Sequence, residues 1–265
     1  MTAISLDRRV PALGGFTLTY LGIELKRKLR NRRGMFFSLI FPVAMFLLLG
    51  YPNLDEPLTA TPVADGGVSY AAYFMVGMGL YGAMIAATSA GSAVAVERAQ
   101  GWSRQLRLTP LHPVAAILTK VVAGLAVGLV AVVATYAAGL AVGVRLAPEQ
   151  WLLSGLAAWL LGATVFTALG LLVGYLVPGE NTAQVTNIAV VFLSFLGGLF
   201  YPLEMLPTFA QDLAVYTPVY GIAQIGRAPL TGAGFDVLWL VNAVAWLAVF
   251  TVGAVLAFRR DTERV

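Results

Sequence analysis

Six long apolar runs dominate this chain and restrict its fold more than any motif does. A helix needs about 20 mostly apolar residues to cross roughly 30 Å of hydrocarbon. Runs of that kind extend from about Met35 to Tyr51, Tyr70 to Val96, Val114 to Val144, Trp151 to Val177, Gln184 to Leu203 and Val237 to Phe258. Little is left to coat a soluble globule. Of 265 residues, 59% are hydrophobic and 11% charged, against about 25% charged in soluble domains. Exposed apolar patches of that extent would aggregate in water. Glycine follows no triplet period and cysteine is absent, which removes collagen-like and disulfide-scaffold classes, thiolate catalysis and Cys-ligated metals. The expected fold class is all-α integral membrane, with six transmembrane helices.

Basic residues orient the spans. Of 17 Lys and Arg, eight precede the first run: Arg8, Arg9, Lys26, Arg27, Lys28, Arg30, Arg32 and Arg33. Arg98, Arg104, Arg107 and Lys120 lie around the junction of runs two and three, and Arg259, Arg260 and Arg264 follow run six. Only Arg145 and Arg227 fall on the other side. The positive-inside rule then puts both termini in the cytoplasm of a multi-pass plasma (inner) membrane protein. Residues 1–34 read as a cytoplasmic N-terminal segment, 35–258 as one transmembrane domain and 259–265 as a cytoplasmic tail. The polar, basic start carries no apolar core of a cleavable signal, so the first span is expected to be the insertion signal and to stay.

Within the N-terminal segment, Thr17–Asn31 has helical periodicity. Leu18, Leu21, Leu25 and Leu29 fall within about 80° of one another, and Lys26, Arg27 and Arg30 lie away from that stripe. The pattern fits an amphipathic helix lying on the inner leaflet, or a plain juxtamembrane anchor. The loop after run two reads Glu97-Arg98-Ala99-Gln100-Gly101-Trp102-Ser103-Arg104-Gln105-Leu106-Arg107-Leu108-Thr109-Pro110. Gly101 can end one helix and Ser103 cap another, with Trp102, Leu106 and Thr109 on a shared face. Two readings stand: an ordinary basic loop, or a short cytoplasmic helix clamped by two spans and suited to receive force from a soluble partner.

These residues resemble the membrane subunit of ABC-2-type exporters, of the drug-resistance or daunorubicin-exporter kind. The resemblance is carried by Glu97-Arg98-x-x-Gly101, Leu106, Thr109-Pro110 and Lys120. Gly101-Trp102-Ser103-Arg104-Gln105 stands where that family usually has Gly-Thr, an acid and several leucines. The resemblance implies that Glu97, Arg98, Gly101, Trp102, Arg104, Leu106, Thr109 and Pro110 form a coupling helix seated in a groove of a nucleotide-binding subunit. A second match follows run five. Gly198, Phe200, Pro202, Glu204, Pro207, Pro218, Tyr220 and Arg227 are similar to the family's Gly-x-x-Phe-x-Pro…Pro…Pro-x-x-Tyr…Arg pattern, which forms short, partly re-entrant helices on the outer side. Pro202 and Pro207 break a helix, and Gln211–Tyr220 is too short and polar to span. Such backbone survives at membrane depth only when buried in protein or lining a cavity. An outer gate is therefore expected, with a loop on the outer rim as the alternative. The family further implies two permease subunits, as a homodimer or homologous heterodimer, and two cytoplasmic ATPase subunits, with ATP and Mg entering through those partners.

Inside the spans, Gly79-x-x-x-Ala83 and Ala87-x-x-x-Gly91 permit close helix packing. Ser89, Gln184, Asn187, Ser194 and Asn242 are polar at depth; they either bond between helices or line a substrate path. No acid lies deep in a run, which weakens ion-coupled secondary transport, and lone His112 has no second histidine for a metal site. None of the three lysines follows a glycine, so the phosphate-binding Gly-x-x-x-x-Gly-Lys pattern is absent. No catalytic residue, metal site, resident cofactor or nucleic-acid partner is expected. The expected function is a permease subunit moving amphiphilic or hydrophobic cargo (drug, lipid, glycan or peptide) outward. The alternative is a secondary transporter or channel without an ATPase; an intramembrane enzyme would need a cluster of His, Cys or acids.

Overall fold

The computed structural model describes residues 17–58, 60–65, 67–101, 113–177, 179–232 and 234–262. The described residues are nearly all helical, with one isolated β-bridge between Pro57 and Ser69. Helix α1 (Leu18–Arg30) starts where the Thr17 hydroxyl accepts from the Tyr20 amide, at 3.2 Å. Asn31 both closes α1 and opens α2 (Arg32–Asn53): its amide donates to the Lys28 carbonyl, and its side-chain oxygen accepts from Gly34. One residue thus makes the elbow between a polar helix and an apolar one.

The α2 helix is not wound uniformly. Phe36–Ile40 and Phe46–Gly50 form wider π turns on either side of Pro42. Proline has no amide to donate to the carbonyl four residues back, and its ring crowds that turn, so a wider turn relieves the strain.

Helix α3 (Tyr70–Ala99) is the axis of the molecule: 94% of its most apolar window is buried, against 22% for α2. Around it stand α4 (Pro113–Ala141) and α5 (Pro148–Leu176). Small residues let them close in. A Cβ on Gly91 would strike the Thr167 carbonyl, and one on Gly170 would strike Thr88. Backbone therefore meets backbone between α3 and α5, as expected of small-residue membrane packing. On its other sides α3 buries Phe74, Met75, Met78, Tyr81 and Met84, with Phe46 and Phe166 from its neighbours.

The last third holds α6 (Thr182–Leu196), α7 (Thr208–Ala214), α8 (Pro218–Thr231) and α9 (Val237–Thr262). Among the described residues, five helices are long and apolar enough to cross a membrane: α2, α3, α4, α5 and α9. The fifth apolar run differs from expectation. Its helix ends at Leu196, not near Leu203, because Gly197 and Gly198 turn the chain, with Gly198 at φ 71°. Its 15 residues span about 22 Å, short of the roughly 30 Å of hydrocarbon.

Candidate functional site

Charges gather at one end of α3. Glu97 lies in its last turn, Lys120 in the first turns of α4, and Glu24 and Arg27 on α1. Glu97 Oε1 accepts from Lys120 Nζ and from Arg27 Nη2, both at 2.6 Å. The same Arg27 nitrogen donates to Glu24 Oε1 at 2.7 Å, and Lys120 Nζ stands 3.8 Å from that oxygen. Glu24, Glu97 and Lys120 are only 4%, 7% and 3% exposed. Charges this sheltered persist only when paired, because removing one partner leaves the other stranded.

Two further cations tie this end to its surroundings. Lys28 Nζ donates to the Ser89 carbonyl at 2.6 Å, fixing α1 against α3. Burial pushes the Lys28 ammonium down to about 8, despite the opposing field of Glu24. Burial alone would lower Arg27 too, but Glu24 and Glu97 beside it outweigh that and raise it. Arg98 donates to the Tyr175 carbonyl at 3.2 Å and stands 5.7 Å from the centre of its ring, reaching α5. Gly101, at φ 71°, ends α3. Trp102, Arg104, Leu106, Thr109 and Pro110 lie outside the described residues.

So Glu97 and Lys120, on either side of residues 102–112, where the sequence suggests a loop, hold each other directly, and α1 holds both. The sequence reading placed Glu97 and Lys120 beside this loop but missed Glu24, Arg27 and Lys28 as their partners. A signal existed: Glu24 and Arg27 are three apart on a helix, and sheltered charges at span ends require counter-charges.

The opposite end of α3 is capped by the segment after α6. Phe200 is buried with its ring 4.5 Å from Phe195 and 5.5 Å from Tyr81. Pro202 is buried and opens the short turn Leu203–Met205, which contains Glu204; exposed Pro207 precedes α7. Pro218 is buried at the first position of α8, and the amide of half-buried Tyr220 donates to the Thr217 hydroxyl at 3.3 Å. Arg227 of α8 is 3% exposed and holds the assembly together. Its Nη1 donates to the Tyr73 hydroxyl at 2.8 Å and the Gly198 carbonyl at 2.9 Å; its Nη2 donates to the Leu199 carbonyl at 3.3 Å. The guanidinium also sits 3.6 Å from the Tyr73 ring centre. Gly77 leaves room for this: a Cβ there would lie 2.6 Å from the Leu199 carbonyl oxygen and 2.8 Å from Arg227 Nη2.

The polar residues within the helices are scattered. Half-buried Ser89 offers its carbonyl to Lys28, while buried Ser194 donates to the Val190 carbonyl at 2.6 Å on its own helix. Gln184 is exposed and Asn187 half-buried on α6. Asn242 of α9 accepts from the Gly221 amide at 3.3 Å and donates to the Val215 carbonyl at 3.0 Å. Among the described residues, no group of three or more His, Cys, Asp or Glu could hold a metal ion.

A family profile described as "ABC-2 type transporter" matches residues 17–230. The stretch begins at the cap of α1 and ends within α8, so it takes in both ends of α3. The chain is also similar to the "Putative transport permease YvfS" of Bacillus subtilis (strain 168), at 29% identity over 200 residues. That alignment covers 74% of this chain and 78% of the relative.

Proposed function

The chain belongs to the ABC-2 type transporter family, and from that membership we propose that it is the permease subunit of an ATP-driven exporter. It is a multi-pass membrane protein and a transport permease component of an ABC transporter, in a family that generally works with an ATPase partner. In the fuller reading, two permease subunits and two cytoplasmic ATPase subunits form the working unit, and ATP with Mg binds to the latter. Both termini lie in the cytoplasm. The α1 helix lies along the inner leaflet. The α6 helix, together with the Gly197–Pro202 turn, completes a sixth crossing, and α7 and α8 form a partly re-entrant outer gate.

The observation that best supports this reading is the Glu97–Lys120 pair, at 2.6 Å, from either side of residues 102–112. A loop whose ends are free would absorb a push from a soluble partner. A loop whose ends are ion-paired, and tied through Arg27 to α1, passes the push to α3 and α4 together. Because α3 is packed on all sides, its displacement reaches α5 and the Arg227 cap. The gate would then open toward the outer leaflet and release amphiphilic or hydrophobic cargo.

The test is reconstitution with the cognate ATPase. The ATPase should co-purify with the chain, and its ATP hydrolysis should drive cargo movement. Glu97→Ala should insert normally yet lose that coupling. Undiminished transport by this chain alone in ATP-free vesicles would overturn the proposal. Since the chain has no cysteine, a single Gln211→Cys reports topology cleanly; labelling from the cytoplasmic side would overturn the outer placement of α7.

A further inference from the structure

The packing of α1 leaves a face that the charge cluster does not use. Glu24, Lys28, Leu21 and Tyr20 turn toward the protein, and Glu24 is the most deeply buried of its residues. Only part of the leucine stripe is docked: Leu21 and Leu25 are half-buried. Leu18 and Leu29, two of the four leucines on that stripe, are exposed. They form an apolar flank, while Lys26 and Arg30, four residues apart, form an adjoining basic flank. Both cations are exposed, and neither makes an ion pair with a described residue. Just past the Asn31 elbow, exposed Arg32 and Arg33 continue the basic surface, and exposed Phe36 and Phe37 continue the apolar one down α2.

We infer that the α1–α2 elbow is a binding surface for an anionic phospholipid. Lys26, Arg30, Arg32 and Arg33 meet the headgroup phosphate, while Leu18, Leu29, Phe36 and Phe37 meet the acyl chains. A lipid, and not a soluble protein, is the fitting occupant because the two flanks run unbroken onto the apolar surface of a candidate span. Greasy residues beside cations at the foot of a transmembrane helix match the layering of a leaflet: acyl chain below, phosphate above. The third side of α1 carries Glu24 and Arg27 into the Glu97–Lys120 pair. Headgroup binding on one side therefore holds the helix against the α3–α4 junction on the other. The inference rests on the inner-leaflet placement of α1 given above.

A Gly22→Cys variant is the probe site, since nothing lies within 4 Å of a Cβ there and no native cysteine competes. The full chain, labelled with a fluorophore at that position, is reconstituted in vesicles containing brominated phosphatidylglycerol or brominated phosphatidylcholine. The anionic lipid should quench at a several-fold lower mole fraction. Lys26→Gln and Arg30→Gln should each shrink that preference by about fivefold, and added salt should shrink it in the unsubstituted chain. Conservative Lys26→Arg should keep it. Equal quenching by the two lipids, or a preference untouched by both Gln variants, overturns the inference. So does competition by millimolar inorganic phosphate, which would mark a free-anion site, or loss of quenching when the ATPase is added, which would mark a protein-covered face. ATP-driven transport in the same vesicles separates the two readings. If transport persists without lipid preference, only the lipid site is wrong; if the preference stands and no ATPase associates, only the exporter assignment is wrong.

Discussion

The two ends of α3 hold their cations by different means. At the Glu97 end, two carboxylates share Arg27 and Lys120 across three helices, beside the backbone contacts of Lys28 and Arg98. At the Arg227 end, the guanidinium takes two backbone carbonyls, those of Gly198 and Leu199, and the hydroxyl and ring of Tyr73. Side-chain ion pairs can exchange partners as helices move. Carbonyls in a glycine turn are fixed by the chain itself. The first end can rearrange its ion pairs; the second is held by the backbone.

The largest predicted effect comes from breaking the first end. Glu97→Ala removes the acceptor shared by Arg27 and Lys120 and leaves Lys120, which is 3% exposed, with only the longer 3.8 Å contact to Glu24. Loss of one partner of a buried pair costs about 3–5 kcal/mol. Thermal unfolding of the purified chain in detergent should show this as a marked drop. The double variant Glu97→Leu/Lys120→Leu should recover most of the stability, because apolar residues replace a buried pair at little cost. It should not recover ATP-coupled transport. A double variant that transports normally would show that the pair contributes stability alone.

At the anchored end the effects are expected to be smaller. Arg227→Ala leaves the Gly198 and Leu199 carbonyls without their donor, at about 2–3 kcal/mol. Arg227→Lys should not restore it, since a single ammonium cannot reproduce the planar fork or its stacking on Tyr73. Gly77→Ala tests the same cap from α3. Its methyl would crowd the Leu199 carbonyl oxygen at 2.6 Å, and overpacking of that kind costs about 1–3 kcal/mol. Limited proteolysis of the 198–217 segment should accelerate in Arg227→Ala and in Gly77→Ala. If Gly77→Ala instead leaves proteolysis unchanged, the cap is not anchored through α3.

Much of the scaffold was legible in the residues, for reasons that also mark where legibility stopped. The spans α2, α3, α4, α5 and α9 start and end within a few residues of the apolar runs, because hydrocarbon thickness sets their length. The end of α6 was misplaced since Gly197-Gly198-Leu199-Phe200 stays apolar while the backbone turns; hydropathy does not register a left-handed glycine. The periodicity of α1 announced a helix, but not which side packs on the protein: Leu21 and Leu25 are half-buried while Leu18 and Leu29 are exposed. What fixes that side is pairing across long separations, such as Arg27 with Glu97, 70 residues apart. No local pattern encodes such a partner. The Arg227 site was half-visible: its motif residues were singled out, whereas Tyr73 and Gly77, on a different helix, were not.

The last prediction concerns pH at the movable end, and it turns on Lys28. A lysine freed into solvent titrates near 10.5, whereas docked Lys28 is held at about 8 by burial. Between those values the undocked helix binds more protons than the docked one, so docking of α1 strengthens as pH rises through this window. Below pH 8 both forms are protonated and the burial penalty is felt in full; above 10.5 both are neutral and it is gone. Lys28→Met removes the titrating group. Amide exchange along α1 should therefore slow between pH 8 and 10, after correction for the intrinsic rise in exchange rate, in the unsubstituted chain and not in Lys28→Met. The Arg227 end contains no comparably depressed lysine among its described contacts, so amides of α8 should show no such window. A parallel response in α8 would mean that the two ends move as one body, and the contrast between a movable and an anchored end would fail.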